Sequence, residues 1–302
     1  MHKSKLAKSI SLLLTSGALA AVGNSANAST TYYNTYAPIN AATAPNQYTD
    51  TSSLGLDGWT RSGGLIGTVK PWLGTAGNVR PFGYTGLSAA NWAVEITGVG
   101  KIHDVEISQA DASSRYGKLW GPHAASLVNL DTAKGAWFNT VDGNGWAHNT
   151  DIGLFRSTVT TKVTLKVTSL FNASETDIWS NFGISIFTGM DQDSDVLTEP
   201  NYSHHSGWNE SSYASNDPFG TTGLTYLTHD ATVDATNGLT FEAQAGQVYS
   251  IYLGGNAGEG HFDPHAGYKL SITTVPVPGA VWLFGSALMG FTGLSRRGLK
   301  RA

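Results

Sequence analysis

The segment "TTKVTLKVTSLF", residues 160–171, alternates between apolar and polar side chains through its middle, from 162 to 168. Val163, Leu165 and Val167 fall on one side, and Lys162, Thr164 and Lys166 on the other. A period of two is that of a pleated strand with one face buried. A helix would instead bring its apolar positions back every three or four residues. The same alternation runs through "HDVEISQ" (Val105, Ile107), "FGISIFTG" (Ile184, Ile186), "GLTFEAQ", "QVYSIYLGG" and "YKLSITT", with Gly, Asn and Asp between the runs. No stretch of ten residues in the body of the chain carries a helical period. No repeat of roughly 20–50 residues indicates a solenoid or propeller. The pattern predicts an all-β fold, an antiparallel, jelly-roll-like β-sandwich with long loops.

Such a sandwich must rest on its own core, because the 302 residues include no cysteine and so no disulfide. Thiolate metal sites are excluded with it. Of the three methionines, Met1 and Met289 lie near the ends, which leaves Met190 in the body. Any site for a soft cation must therefore use histidine nitrogen.

Both ends read as processing signals. Residues 1–28 carry Lys3, Lys5 and Lys8, then an apolar stretch from Ile10 to Val22, then Ala26-Asn27-Ala28. That order predicts a secretory signal peptide, cut by signal peptidase before Ser29. Residues 275–302 hold a largely apolar run from Gly279 to Leu294, followed by Arg296, Arg297, Lys300 and Arg301. The run is short for a span of roughly 20 residues, and its basic tail predicts a short inner-membrane helix with a cytoplasmic end. This end resembles the PEP-CTERM sorting signal of Gram-negative bacteria through Val275, Pro276, Pro278, Val281, Trp282, Leu283, Phe284, Gly285, Ser286 and the pair Arg296–Arg297. Val277 stands where the namesake Glu would be. The resemblance implies an exosortase as partner and delivery to the cell surface or beyond.

Between the ends, residues 29–57 are rich in Thr, Ala, Asn and Tyr without a period and are expected as an irregular arm. The sandwich is expected over 58–274. Removing both ends leaves 11 Lys+Arg against 22 Asp+Glu, a net charge of −11. A chain of that charge repels phosphate backbones and attracts cations, so a nucleic-acid partner is not expected.

Against this frame, "DGNGWAHNTD" (142–151) stands out for Trp146 and His148. On a strand their Cα atoms would lie about 6.5–7 Å apart on one face. Imidazole binds copper, zinc or nickel, whereas indole offers only an N–H donor. The residues alone leave open a packed tryptophan with a histidine capping a turn. The stretch "GWAHNTDIGLFRSTVTTKVTLKV" resembles the copper-binding surface proteins of methane-oxidising bacteria, of the MopE and CorA kind. In those, a Trp-x-His pair carries a tryptophan oxidised to kynurenine, whose aryl amine supplies a nitrogen, and a downstream histidine completes a site favouring Cu(I). The resemblance implies Trp146 as the modified residue and His148 as the first imidazole. For the second, His205 in "NYSHHSGWN" is the first choice, then His204, with His229 behind.

Two further clusters have metal-ligating chemistry. "GEGHFDPHAG" gives His261, Asp263 and His265, a nitrogen/oxygen group in a loop broken by Pro264. "MDQDSDVLTE" gives Asp191, Asp193 and Asp195, oxygen ligands suited to calcium, although Val196 and Tyr202 stand where an EF-hand needs Gly and Glu. Tryptophans beside Gly or Asn, at Trp59, Trp137, Trp146 and Trp208, would suit stacking on sugars. Most of the tryptophans are nevertheless expected as packing.

No G-x-S-x-G, H-E-x-x-H or phosphate-cradling loop is present. The sequence therefore predicts a copper-binding exported protein, not an enzyme. The alternative is a surface protein binding extracellular polysaccharide or matrix, with a calcium-stabilised loop.

Overall fold

The computed structural model describes residues 29–34, 72–75, 79–86, 90–98, 102–117, 130–133, 135–140, 143–146, 150–170, 181–192, 213–218, 221–256 and 265–276. Thirteen strands and one short α-helix are formed among them, besides a 3-10 turn at Pro81–Gly83. In chain order they are β1 (Ser29–Tyr33), β2 (Trp92–Ile96), β3 (His103–Ile107), α1 (Gln109–Tyr116), β4 (Asp131–Ala133), β5 (Trp137–Thr140) and β6 (Gly143–Trp146). There follow β7 (Asp151–Ser157), β8 (Thr161–Leu170), β9 (Phe182–Thr188), β10 (Thr225–Val233), β11 (Leu239–Ala243), β12 (Val248–Gly255) and β13 (His265–Pro276). The architecture is the all-β sandwich that the alternation predicts.

One sheet has six strands in the order β1-β2-β7-β12-β9-β10. The other runs β11-β8-β13-β3, with β4 beside β13. All pairs are antiparallel except β2 with β7, which run parallel from Trp92↔Gly153 to Ile96↔Ser157. The first residues of the segment expected as an irregular arm form β1, an edge strand on β2. At the other end β13 runs past Thr274 to Pro276, opposite Thr161 of β8. Pro276, expected at the start of the sorting segment, thus ends a strand, where its missing N–H interrupts nothing beyond it.

The core lies between the two sheets. Trp92, Val94, Phe155, Ile184, Ile186 and Ile251 come from one, and Val163, Leu165, Val167, Leu270 and Ile272 from the other. In β8 every second residue from Thr161 to Val167 is buried, while Lys162 is exposed. In β7 and β9 nearly every residue is buried, because the six-stranded sheet is covered on its outer face as well. Trp72, Tyr84 and Ala90 cover Ala93 and Leu154. The β5–β6 hairpin, a separate two-stranded sheet, helps to cover Phe187 and Tyr252.

Two polar ties hold these layers. The Tyr268 hydroxyl, from β13, crosses the sandwich and donates to Asp151 Oδ2 at 2.7 Å, while Asn91 Nδ2 donates to Oδ1 at 3.0 Å. A buried carboxylate so bonded escapes most of the cost of desolvation. On the edge, α1 is capped by Ser108, whose hydroxyl accepts from the Asp111 N–H, and is stopped by Gly117 in the left-handed region. Asp111 accepts from the Tyr33 hydroxyl at 2.6 Å and from Arg115 Nε at 2.8 Å. Burial first, then this carboxylate, pushes the Tyr33 phenol well above its ordinary range.

Candidate functional site

Trp137 and Trp146 face each other in register across the β5–β6 hairpin. Their rings meet edge to face at 4.8 Å, a favoured aromatic geometry. The hairpin can sit this low because its floor is glycine. Gly183 of β9 and Gly254 of β12 are register partners. A Cβ at Gly183 would overlap the Trp137 ring, and one at Gly254 would crowd Trp137 N and Trp146 at 2.9 Å. Both tryptophans are buried, at 1 % and 0 % exposure.

Tyr213 stacks flat on Trp137, with centroids 3.8 Å apart and planes 6° from parallel. Its backbone carbonyl accepts from the Ser185 hydroxyl at 3.0 Å. Tyr252 packs on Trp146 at 6.1 Å and on Phe187 at 5.0 Å. His229, opposite Ser185 in the β10–β9 ladder, lies 5.7 Å from Trp137 and 5.6 Å from Tyr213. Tyr226 reaches back along β10 to bond His229 Nδ1 at 2.7 Å. The cluster therefore grades from a buried tryptophan pair to an exposed histidine.

Its polar atoms are unevenly served. The indole N–H groups of both Trp137 and Trp146 are buried and make no hydrogen bond among the described residues. Each such orphan costs about 1–3 kcal/mol, and buried indoles usually find a partner. Burial raises the Tyr213 phenol to about 12 and the Tyr226 phenol in the same direction.

The structure redistributes the residues singled out from the sequence. Trp146, expected to turn with His148 toward a common ligand, ends β6 with its ring wholly inside the aromatic cluster. Trp137 and Trp146, candidates for sugar stacking, are both taken up in packing, as is expected of most of the tryptophans. Trp72 and Trp92 are buried too, so no described tryptophan is presented to a sugar. Asp191 is 2 % exposed and its Oδ1 accepts from the Thr222 N–H at 3.3 Å. His265, expected in a loop, is the first residue of β13, opposite Ala133. His148, His204, His205, His261, Asp263, Asp193, Asp195, Pro278, Trp282, Arg296 and Arg297 lie outside the described residues, as do Trp59 and Trp208. Among the described residues no three His, Asp or Glu side chains gather closely enough to hold a metal, and no helix is long and apolar enough to cross a membrane.

Sequence reading missed Trp137, Tyr213 and Tyr252 as partners of Trp146 and Tyr226 as the partner of His229. The one local signal was the pair of tryptophans placed symmetrically about "TVDG", in a run whose Gly, Asn and Asp separate strands.

No protein-family model and no curated protein matches the chain. The solved structures similar to a part of it include CorA of Methylomicrobium album BG8, described as a surface-associated copper-binding protein important in copper acquisition. The two are 14% identical, the match covers 49% of this chain and 92% of that one, and the TM-score is 0.30.

Proposed function

We propose that the protein is an exported, surface-delivered binding protein that captures copper through His148 and a second imidazole, His229. Trp146, oxidised as the sequence resemblance implies, would supply a further nitrogen. The observation that carries this reading is that His229 packs against the same aromatic cluster that buries Trp146, two residues before His148. Tyr226 engages Nδ1 of His229, which leaves Nε2 as the nitrogen for a cation. A second ring nitrogen fixed by a neighbour is the usual arrangement for a metal-binding histidine. With no cysteine in the chain, nitrogen donors suit a copper site. Capture needs no turnover, which agrees with the lack of catalytic motifs. Sorting through Pro276, Pro278, Trp282, Arg296 and Arg297 would bring the site to the surface.

Elemental analysis of protein purified from its native host tests the reading, with about one copper per chain expected at a single site. Copper in only a small fraction of chains contradicts it. Intact mass of the same sample tests Trp146, where an unaltered mass removes tryptophan oxidation from the account.

A further inference from the structure

We propose that Tyr226 and His229 form an oxidisable, proton-coupled pair that drains one-electron oxidation from the buried Trp137–Trp146 pair to the surface. The inference stands on geometry, concerns the chain without copper and with Trp146 unmodified, and does not rest on the copper reading.

Continuity of the rings is the first support. Trp146 meets Trp137 at 4.8 Å, Trp137 stacks on Tyr213 at 3.8 Å, and both Trp137 and Tyr213 lie within 6 Å of His229. Tyr226 closes the series, 5.8 Å from His229 and hydrogen-bonded to it. An electron vacancy on either indole thus has a path of touching rings to the protein surface.

The unserved indoles are the second support. A tryptophan radical cation is a strong acid and is trapped where a base removes its N–H proton. Among the described residues neither Trp137 nor Trp146 has an acceptor at that nitrogen, so the vacancy is not pinned there by proton loss. Tyr226 is different, because its hydroxyl sits 2.7 Å from an imidazole nitrogen that can take the proton in the Nε2–H tautomer. The buried indole N–H groups, costly to the fold, thereby acquire a role.

The step balances as follows. A one-electron oxidant of the metal-complex or organic-radical class takes an electron from the indole pair and is reduced. Tyr226 then returns an electron to the indole. Its O–H bond breaks, the proton passes to Nδ1 of His229, and a neutral tyrosyl radical and an imidazolium remain. The exposed imidazolium releases its extra proton to water.

The test uses the full chain stripped of metal with a chelator, since a cation on Nε2 would keep the ring proton on Nδ1 and block the transfer. Photogenerated tris(bipyridyl)ruthenium(III), with persulfate as terminal acceptor, is flashed onto the protein, and the frozen sample is read by electron paramagnetic resonance. Ring-deuterated tyrosine identifies the radical. A neutral tyrosyl signal is expected in the wild type. Tyr226→Phe, which removes one hydroxyl at the rim, should abolish that signal and raise oxidation of Trp137 and Trp146 several-fold in peptide maps. His229→Gln keeps a hydrogen-bonding side chain but no base, and should lower the tyrosyl yield several-fold. An undiminished tyrosyl signal in Tyr226→Phe, or unchanged tryptophan oxidation, overturns the proposal.

Discussion

Gly183 shows how much one missing methyl can decide. Its hydrogen atom lets the Trp137 ring lie on β9, and a Cβ there would occupy the space of the indole itself. Gly183→Ala should therefore destabilise the fold by about 1–3 kcal/mol through overpacking, read as a lower midpoint in urea. An equal change at Gly246, where nothing stands within 4 Å but φ is +78°, costs through backbone strain instead. Asp234 is a second residue whose setting has a measurable consequence. It accepts from the N–H groups of Thr236 and Asn237, and these bonds hold its carboxyl near 2, below the ordinary 3.8. Its folded form is the better acid, so its contribution is present above pH 3.8 and is lost as the pH falls through about 2. Asp234→Ala should lower stability near neutral pH and make little difference near pH 2, as followed by thermal melting.

At the scale of elements, α1 depends on a phenol. Tyr33 is held neutral by burial and by Asp111, with its phenol raised above 10.0. The unfolded chain ionises first, so stability is intact below about pH 10 and declines above it. Alkaline unfolding should be less steep in Tyr33→Phe than in the wild type, whose Tyr33 contributes to that slope. Elements also show which structure was legible. β8 could be read from its alternation because one of its faces is solvated. β9 could be read only half-way: Ile184 and Ile186 mark its core face, but Gly183 and Phe187 lie on an outer face that another element covers, which erases the polar half of the pattern. The eight residues of α1 are too few for a period, although Ser108 and Gly117 stand at its two ends as cap and stop. The parallel β2–β7 pair joins strands distant in sequence, and no local signal encodes it.

At the scale of the molecule, the sandwich was readable and the site only in part. Trp146 and His148 are legible as an unusual pair in a polar run, but the cluster around Trp146 is gathered from three segments far along the chain as well as from its own hairpin. Trp137 arrives by hairpin pairing, Tyr213 by a bond to Ser185, Tyr252 from β12, and His229 from the register of an edge strand. Register is set by the whole sheet, so the cluster emerges only when the strands are assembled. His229 is the described imidazole beside this cluster, while His205 and His204, the first choices from sequence order, lie outside the described residues.

Cu(I) competition titration on metal-free protein, comparing the wild type with His148→Ala, His229→Ala and the double variant His204→Ala/His205→Ala, tests the copper account most directly. The account predicts one tight site in the wild type, a loss of affinity of about tenfold or more in each of the His148 and His229 variants, of the order seen when a metal site loses a positioning group, and no change in the double variant. Wild-type affinity in both His148→Ala and His229→Ala would contradict it.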